Sequence, residues 1–457
     1  MSPNQFCSDD GSAEPCACHL MASDLQGHAE KKELHIAPML NYSTREFRQL
    51  LRILSKRAVV WTEMVVDDTV KYAPNLDDHL GYDEEQHPII CQIGGNSPEV
   101  CGFATSIILE QYGHDEVNLN IDCPSQRVSG KREFGAILMK KAGLTVDIVR
   151  EMQSNATSQR QVSVKCRIGV DDLDDLEFAA GFIRTLQPVC NRFYLHARKC
   201  VLDGLMNARQ NRSVPPLNYP RVYQLCRMFP DCEFIINGGI RTLKEAKLIA
   251  YGRSNNAGSN NDEHDLHYDS QHNVPCKLCS MPNGSCIEPP TLAPDNLRGC
   301  MMGRAAMDDP CLFHDVDRYF YGEKTNPCRN RRQVLEQYCD YLEQRYPRRC
   351  CMEDESYCNI CECNEGETPT LDWVTSTSNM EDSGHNKMKK LCKIPAPIIG
   401  ICLKPVQGVF HGIPSSRAFR RVCDKLCQNA VIRNCGPAFI LRVAIQSVPP
   451  DILDQEF

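Results

Sequence analysis

The sequence predicts an α/β fold, a TIM (β/α)8 barrel followed by a C-terminal helical domain. Eight short runs rich in β-branched and apolar residues recur between residues 35 and 304. Most of them are separated by segments of helical length, such as Thr145 to Asn155 and Thr242 to Ala250. Strands that alternate with helices in this way form a parallel sheet, and eight of them close into a barrel.

The predicted strands carry polar residues or cysteine at their carboxyl ends. In chain order the runs are His35–Met39, Val59–Met64, Pro88–Gly95, Asn118–Ser125, Val162–Arg167, Phe193–Lys199, Phe234–Gly239 and Gly299–Arg304. In a TIM barrel the carboxyl ends form one face, and that face holds the active site. We therefore expect the residues that end these runs to line a single site.

The fourth run contains Cys123, which is followed by Pro124. A cysteine just past the end of a barrel strand lies at the mouth, where a substrate can reach its thiol. In a chain with 28 cysteines, a thiol taken alone is more often a buried core residue. The polar residues on the neighbouring strand ends make Cys123 a candidate catalytic residue.

Strands seven and eight end in residues suited to phosphate. Asn237-Gly238-Gly239 and Gly303-Arg304 would bring backbone N–H groups and a guanidinium to one phosphate, which predicts a mononucleotide cofactor. Lys165 and His196, at the mouths of strands five and six, could donate to the electron-rich pyrimidine edge of a flavin and its N1 region. Gln92 offers an amide to the same ring. Each residue taken alone is more often a surface, core or turn residue, and their joint placement favours the cofactor site.

These residues make the chain resemble the flavin-dependent tRNA-dihydrouridine synthases. The matching signatures are Ala37-Pro38-Met39, Thr62-Glu63-Met64, Gln92–Gly95, Asn118–Asn120 with Cys123–Ser125, Val164-Lys165 with Arg167–Gly169, His196–Arg198, Asn237–Gly239 and Gly303-Arg304. They occur in family order between about residues 35 and 322. Within the family, His196–Lys199, Asn211-Arg212, Pro215–Leu217, Tyr219–Tyr223 and the segment from Lys404 to Arg421 most resemble the bacterial A-type branch. That branch is associated with uridines 20 and 20a of the D-loop.

The resemblance implies FMN as the cofactor and NADPH as the reductant. Hydride would pass from the reduced flavin to C6 of a uracil, and Cys123 would protonate C5 from the opposite face. A thiol with an ordinary pKa near ~8.5 keeps its proton at neutral pH, as a general acid must. The FMN-binding residues that the resemblance implies are Pro38, Met39, Leu40, Gln92, Lys165, His196, Asn237, Gly238, Gly239, Gly303 and Arg304.

The resemblance also implies contacts with tRNA. Asn120 would face the tRNA near the target base, and Arg209, Arg212, Arg417 and Arg420 match positions that orient the tRNA in the A-type branch. The chain departs from the family pattern at Asp122, where bacterial members usually carry glycine. This departure leaves the geometry of the Cys123 loop open.

The charge distribution fits an RNA partner better than the net charge does. The formal net charge of −8 argues at first sight against binding a polyanion. Nine acidic residues and no lysine or arginine lie between residues 350 and 382, however, and without that segment the net charge is +1. Between Ile398 and Arg442, seven basic residues accompany a single acidic residue, Asp424. This distribution is typical of a tRNA-binding surface in the C-terminal domain.

The composition divides the chain into three parts. Residues 1–30 form a polar tail, residues 31–322 the FMN-binding barrel and residues 323–457 the helical tRNA-binding domain, which opens with a helix over Gln333 to Tyr346. Polar segments at about 251–294 and 350–393 read as disordered insertions. Cys276-x-x-Cys279 and Cys358-x-x-Cys361 have only partial zinc-ligand spacing, so we predict no metal.

No signal peptide, anchor or membrane span is evident in the sequence, and no protein partner is indicated. The absence of a signal peptide and a chain long enough to form a large hydrophobic core favour reduced thiols, and hence a location inside the cell, in the cytoplasm or an organelle. The alternatives are a dihydrouridine synthase of another positional specificity, a flavin oxidoreductase acting on a free pyrimidine, and a non-catalytic RNA-binding protein that keeps the barrel. The basic C-terminal segment argues against the second, and the presence of Cys123, Lys165 and His196 argues against the third.

Overall fold

Eight parallel strands alternate with helices and close into a barrel. The computed structural model describes residues 32–124, 134–158, 161–202, 209–252, 293–347, 396–428 and 435–457. The strands are β1 (Glu33–Ile36), β2 (Val60–Val66), β3 (Ile89–Gly94), β4 (Glu116–Ile121), β5 (Val162–Arg167), β6 (Arg192–His196), β7 (Glu233–Asn237) and β8 (Leu297–Met302). Strand β8 pairs with β1. Two hydrogen bonds then close the ring, from Ile36 N to Val59 O and from Val59 N to Leu34 O, each 2.9 Å long. The predicted barrel is confirmed.

Helices follow the strands around the barrel and continue beyond the last strand. The first nine are α1 (Arg45–Leu54), α2 (Asp67–Tyr72), α3 (Asp77–Leu80), α4 (Pro98–Ser106), α5 (Ala142–Ser154), α6 (Leu176–Leu186), α7 (Tyr219–Met228), α8 (Leu243–Tyr251) and α9 (Arg304–Asp308). The later ones are α10 (Arg331–Arg345), α11 (Ala396–Leu403), α12 (Ser416–Gln428), α13 (Pro437–Ile445) and α14 (Pro450–Asp454). Helix α8 begins with a capping box between Thr242 and Glu245, which explains why the helix predicted from Thr242 starts there.

The predicted strands lie in the right places, and most of their carboxyl ends differ from the predicted ones for one reason; the exception is β2, which continues to Val66, beyond the predicted end at Met64. Strand β5 coincides with the predicted run Val162–Arg167. The predicted fourth run reaches Ser125, whereas β4 ends at Ile121. Most of the other runs also extend into the following loop, because the functional motifs begin where the sheet hydrogen bonds end. The predicted tail 1–30, the insertion 350–393 and nearly all of the insertion 251–294 lie outside the described residues.

Side chains on the strands alternate between two environments. On β4, Val117, Leu119 and Ile121 are fully buried in the main hydrophobic core, which also includes the helices. The alternate residues of β4, Glu116, Asn118 and Asn120, point into the barrel, as the period of two in a β-strand requires, and they are polar. A separate apolar cluster inside the barrel is formed by Ala37, Val59, Trp61, Ile90, Tyr194, Ile235 and Met301.

A buried ion cluster occupies the floor of the barrel. The Arg192 guanidinium donates to the carboxylates of Glu33, Glu116 and Glu233 at 2.5, 2.9 and 2.7 Å. Burial alone would raise the pKa of Glu33, but attraction to Arg192 and the hydrogen bond from His35 outweigh it and lower that pKa. Burial raises the pKa of Glu116. One arginine thus binds carboxylates from three strands, β1, β4 and β7.

The C-terminal helices are attached to the barrel beside helix α1. The Tyr346 hydroxyl donates to Glu46 Oε1 at 2.6 Å. Lys404 Nζ donates to Asn41 O at 2.6 Å and lies 4.9 Å from the centre of the Tyr42 ring. Asn41 belongs to the loop after β1, so the helices meet the barrel at the mouth where the predicted site residues lie. The predicted C-terminal helices are confirmed.

Candidate active site

Cys123 lies two residues past the end of β4 and is half-buried. Its backbone N–H donates to Asn120 Oδ1 at 3.0 Å, and the N–H of Asp122 donates to the same oxygen at 3.2 Å. The Cys123 carbonyl accepts a hydrogen bond from Ala136 N at 3.0 Å. Gly135 has φ +84°, and a Cβ there would lie 2.5 Å from the Cys123 carbonyl oxygen, so only glycine fits. The backbone at Cys123 is therefore held from both sides.

A chain of hydrogen bonds connects this loop to the barrel floor. Asn120 Nδ2 donates to Gln92 Oε1 at 2.8 Å, and Gln92 Nε2 donates to Asn118 Oδ1 at 2.9 Å. Asn118 Nδ2 in turn donates to Ser163 Oγ at 2.7 Å, and Ser163 donates to Glu116. All five side chains are buried. Gln92 thus has partners at both ends of its amide, and Asn120 supports the cysteine loop from within the barrel.

The Asp122 carboxylate joins three donors from the next two strands. It contacts Lys165 Nζ and Arg167 Nε, and it lies 3.1 Å from His196 Nδ1. Burial would raise the pKa of Asp122, but Arg167, Lys165 and His196 hold it well below its usual range. Burial and the neighbouring Arg167 lower the pKa of His196 to about 3, despite the opposing effect of Asp122. At neutral pH this cluster contains an ionised carboxylate and an uncharged imidazole.

Two glycines follow β7 with positive φ angles, +123° at Gly238 and +75° at Gly239. A Cβ at Gly239 would lie 2.5 Å from Leu217 Cδ1, so the backbone approaches its neighbours as only glycine allows. Asn237 Nδ2 donates to Met301 O at 2.9 Å, which ties β7 to β8. This segment therefore offers backbone to the mouth of the barrel, as the sequence predicts for a phosphate site.

Arg198, Arg212 and Arg304 lie close together beside these glycines and form what we call the arginine corner. Arg304 begins α9, and its guanidinium donates to the Arg212 carbonyl at 3.4 Å. Burial lowers the pKa of Arg304, and repulsion from Arg241 and Arg212 lowers it further. Arg198 donates to the Pro215 carbonyl, while its buried Nε has no hydrogen-bond partner among the described residues. An excess of positive charge with an unused donor fits an anionic group such as a phosphate.

Comparison with known proteins identifies the family. The family model described as Dihydrouridine synthase (Dus) matches residues 35–257. The tRNA-dihydrouridine(20/20a) synthase of Vibrio cholerae is 35% identical over 313 residues, which cover 68% of this chain and 80% of the relative. The chain belongs to the dihydrouridine synthase family. The predicted family is confirmed, and with it the prediction that the protein is an enzyme of this type.

Two further relatives of this dihydrouridine synthase carry the same name. The tRNA-dihydrouridine(20/20a) synthase of Salmonella typhi is 38% identical over 292 residues, covering 64% of this chain and 73% of the relative. That of Escherichia coli K12 is 43% identical over 226 residues, covering 48% and 64%. A solved structure of morphinone reductase in complex with tetrahydroNAD overlaps 64% of this chain and 88% of its own, at 10% identity and a TM-score of 0.36. A score that low carries no weight for function.

Sequence reasoning assigned no site role to Asp122, Arg167 and Arg198, which the structure brings into the mouth of this synthase. Arg198 stands in the His196-Ala197-Arg198 signature, and the structure places it at the arginine corner. Asp122 was noted only as a departure from the family pattern, and the structure makes it the common partner of three strand-end side chains. An alternation of polar residues along β4, continued through Asp122, is the signal that could have placed its side chain inside the barrel.

The loop after β1 supplies the backbone groups that the synthase resemblance assigns to FMN. Pro38, Met39 and Leu40 follow directly after β1, and Leu40 is exposed. The Met39 N–H already donates to Ser43 Oγ at 3.0 Å. Gly303 lies immediately before α9, next to the arginine corner. Their role toward the cofactor stays a prediction.

The predicted tRNA-orienting arginines of the synthase lie on two segments. Arg209 and Arg212 precede α7, and Arg212 reaches the arginine corner as described above. Arg417 and Arg420 lie in the first turns of α12, where they line a cavity of about 490 Å³ together with Ser416. Arg420 donates to Ser416 Oγ at 2.9 Å. Contact of any of these residues with tRNA stays a prediction.

Neither a metal centre nor a membrane span is found in the part of the chain that the structure describes. No three or more His, Cys, Asp or Glu side chains are placed there to hold a metal ion. No described helix combines the length and apolar character needed to cross a bilayer. The Cys276 and Cys358 motifs lie outside the described residues.

Proposed function

We propose that the protein reduces uridine in tRNA to 5,6-dihydrouridine, at positions 20 and 20a of the D-loop, with FMN as cofactor and NADPH as reductant. One observation carries the proposal. Cys123, the only strand-end thiol among the predicted site residues, lies at the same barrel mouth as Lys165, His196 and the arginine corner. The names of the relatives support the substrate and the positions.

The residues of the mouth fit FMN. Arg198 and Arg304, with the backbone at Gly238 and Gly239, would hold its phosphate, because they combine surplus charge with close backbone approach. Lys165 would lie at the flavin ring, where a cation stabilises the reduced form. Bound FMN, once reduced by NADPH, supplies the hydride that adds to C6 of the uracil.

Cys123 would donate the proton that completes the reduction at C5. Hydride and proton together add across the C5–C6 double bond, and the thiol becomes a thiolate that water must reprotonate. Half-burial of Cys123 allows that exchange with solvent. The backbone of Cys123, held by Asn120 and Ala136, would keep the thiol at a constant place above the barrel. Proton transfer from a positioned acid contributes roughly 10²–10⁴-fold in rate.

The RNA must present a single base to this mouth. Unstacking a base costs a few kcal/mol, and the cost is smaller in a loop than in a duplex. Arg417 and Arg420 on α12 would contact the phosphates of the bound tRNA. Because such contacts release counterions, we expect the affinity for tRNA to fall steeply with salt.

The test is position-resolved measurement of dihydrouridine, using purified protein, NADPH and tRNA that lacks the modification. Cys123→Ala is measured in parallel, and Cys435→Ala serves as the control, since Cys435 is also half-buried but lies beside α13. We expect product at positions 20 and 20a with the wild type and Cys435→Ala. Cys123→Ala should retain FMN and lose most turnover.

The other outcomes are equally informative. Product at a different position would keep the reaction and overturn the positional assignment. No product despite bound flavin would favour an oxidoreductase acting on a free pyrimidine. A colourless protein that still binds tRNA would favour a non-catalytic RNA-binding protein. Loss of flavin from Cys123→Ala would show that the thiol has a different role.

A further inference from the structure

Asp122 lies at the centre of the predicted flavin-ring site, although the residue type at this position departs from the family pattern. Its side chain is largely buried, and both carboxylate oxygens are used. Oδ2 accepts from Lys165, and Oδ1 accepts from Arg167 and His196. The three partners come from β5 and β6, so Asp122 connects the end of β4 to both neighbouring strands.

Contact with Asp122 sets the direction of the His196 hydrogen bonds. An ionised carboxylate can only accept, so the proton of the uncharged imidazole must lie on Nδ1, 3.1 Å from Asp122. Nε2 then carries a lone pair. A Cβ at Gly238 would lie 3.4 Å from Nε2, which places this nitrogen on the glycine side of the mouth. His196 therefore offers an acceptor to the cofactor, suited to a ring N–H or a hydroxyl, whereas the sequence suggested a donor.

Asp122 also lowers the net positive charge of this cluster. Lys165 and Arg167 together carry two positive charges, and Asp122 reduces the sum for the cluster to one. Positive charge beside the pyrimidine edge favours reduced flavin over oxidised flavin, because the reduced form is anionic at N1. A carboxylate in contact with both cations weakens that preference. The cluster thus shifts the bound cofactor toward a stronger reductant.

We propose that Asp122 is a positioning residue for the flavin ring, which holds Lys165, fixes His196 with its proton on Nδ1 and lowers the reduction potential of the bound cofactor. This inference rests on the proposed use of FMN. It assigns to Asp122 no contact with the uracil and no proton transfer.

The potential is measured on protein reconstituted with FMN, by equilibration with a reference dye. In Asp122→Asn, which keeps the shape and removes the charge, we expect reduced FMN to gain about tenfold in relative affinity, or about 30 mV in midpoint potential for a two-electron couple. Asp122→Gly should shift the potential in the same direction. Asp122→Glu, which restores the charge, should return it toward the wild-type value.

Asp317→Asn is the matched control. Asp317 is also a buried carboxylate, and it accepts from Ser55 Oγ at 2.5 Å and from Lys56 N at 2.8 Å. These partners lie between α1 and β2, at the floor end of the barrel. Its loss should lower stability and leave the potential unchanged.

A second readout needs no cofactor. Nitrogen NMR of the histidine rings in the flavin-free protein, with the His196 signal assigned by its loss in His196→Gln, should show the proton on Nδ1. A proton on Nε2, or an unchanged or lower potential in both Asp122→Asn and Asp122→Gly, would refute the proposal. Failure of the wild type to bind FMN at all would instead overturn the proposed function together with the shift in potential.

Discussion

Replacing Asn120 with alanine should damage catalysis more than binding. In the structure this side chain accepts from the backbone N–H groups of Asp122 and Cys123 and donates to Gln92. It is buried, with its polar groups used inside the protein. The resemblance to the family instead places Asn120 against the tRNA. The two roles predict different kinetic changes.

The magnitude follows from the hydrogen bonds that are lost. A buried group left without its partner costs about 1–3 kcal/mol, so Asn120→Ala should lower the free energy of unfolding by that order. Loss of the support for Cys123 has a separate effect, because displacement of a catalytic group by about 1 Å can cost ~10²-fold in rate. We expect a roughly 10²-fold slower chemical step with unchanged affinity for tRNA.

The assay is a single-turnover experiment. Enzyme whose flavin has been reduced by NADPH is mixed with saturating unmodified tRNA, and reoxidation of the flavin is followed by absorbance. The affinity for tRNA is measured separately. Asn118→Ala is the matched control, since Asn118 lies on the same strand, is equally buried and donates to Ser163, but makes no bond to the cysteine loop. Its rate should fall less than about tenfold.

Equal loss of rate in both variants would show that general damage to the barrel interior, and not the position of Cys123, limits the reaction. Weaker tRNA binding with a normal single-turnover rate in Asn120→Ala would support the direct tRNA contact instead.

Three further outcomes are expected. Arg417→Ala combined with Arg420→Ala should weaken tRNA binding, measured by filter retention at low salt, and leave flavin reduction by NADPH intact. Unchanged affinity for tRNA would contradict the role assigned to the α12 arginines. Arg304→Ala should weaken FMN binding about 10–150-fold, which corresponds to the loss of a charge-assisted hydrogen bond of about 1.5–3 kcal/mol. Riboflavin binding should not change, because riboflavin has no phosphate. Arg192→Leu should cost at least ~3 kcal/mol of unfolding free energy at pH 7, because it leaves buried carboxylates unpaired. In the variant, the pKa values of these carboxylates would be raised, so the carboxylates would take up protons on folding. In the wild type, the low pKa of Glu33 keeps its stabilising contribution intact at pH 5. Urea titrations should therefore show a smaller loss of unfolding free energy in the variant at pH 5 than at pH 7. A deficit that does not change with pH would contradict this account.

The sequence was sufficient for the order of the strands but not for the contacts inside the barrel. Strand β5 was predicted to the residue, because its β-branched run is bounded by polar segments. The convergence of Asp122 with His196 joins residues 74 positions apart, and no local pattern specifies such a pairing.

The floor cluster around Arg192 was missed for a related reason. Charged residues in a strand read as surface positions when taken singly, whereas here one arginine meets three carboxylates. Helix α8 shows the opposite case, since its capping box is local and its start at Thr242 could be read directly.

The attachment of the C-terminal helices at Asn41 and Glu46 has a consequence for substrate choice. Phe419 of α12 packs against Phe410 with 4.9 Å between ring centres, and both rings are fully buried. The helix that carries Arg417 is therefore anchored in the same core as the barrel. The distance from the α12 arginines to the Cys123 thiol is thus fixed by the fold. We expect the uridine that enters the mouth to be the one whose distance along the RNA backbone from the phosphates bound by Arg417 and Arg420 matches this fixed distance. A D-loop longer or shorter by one nucleotide should therefore shift the modified position by one.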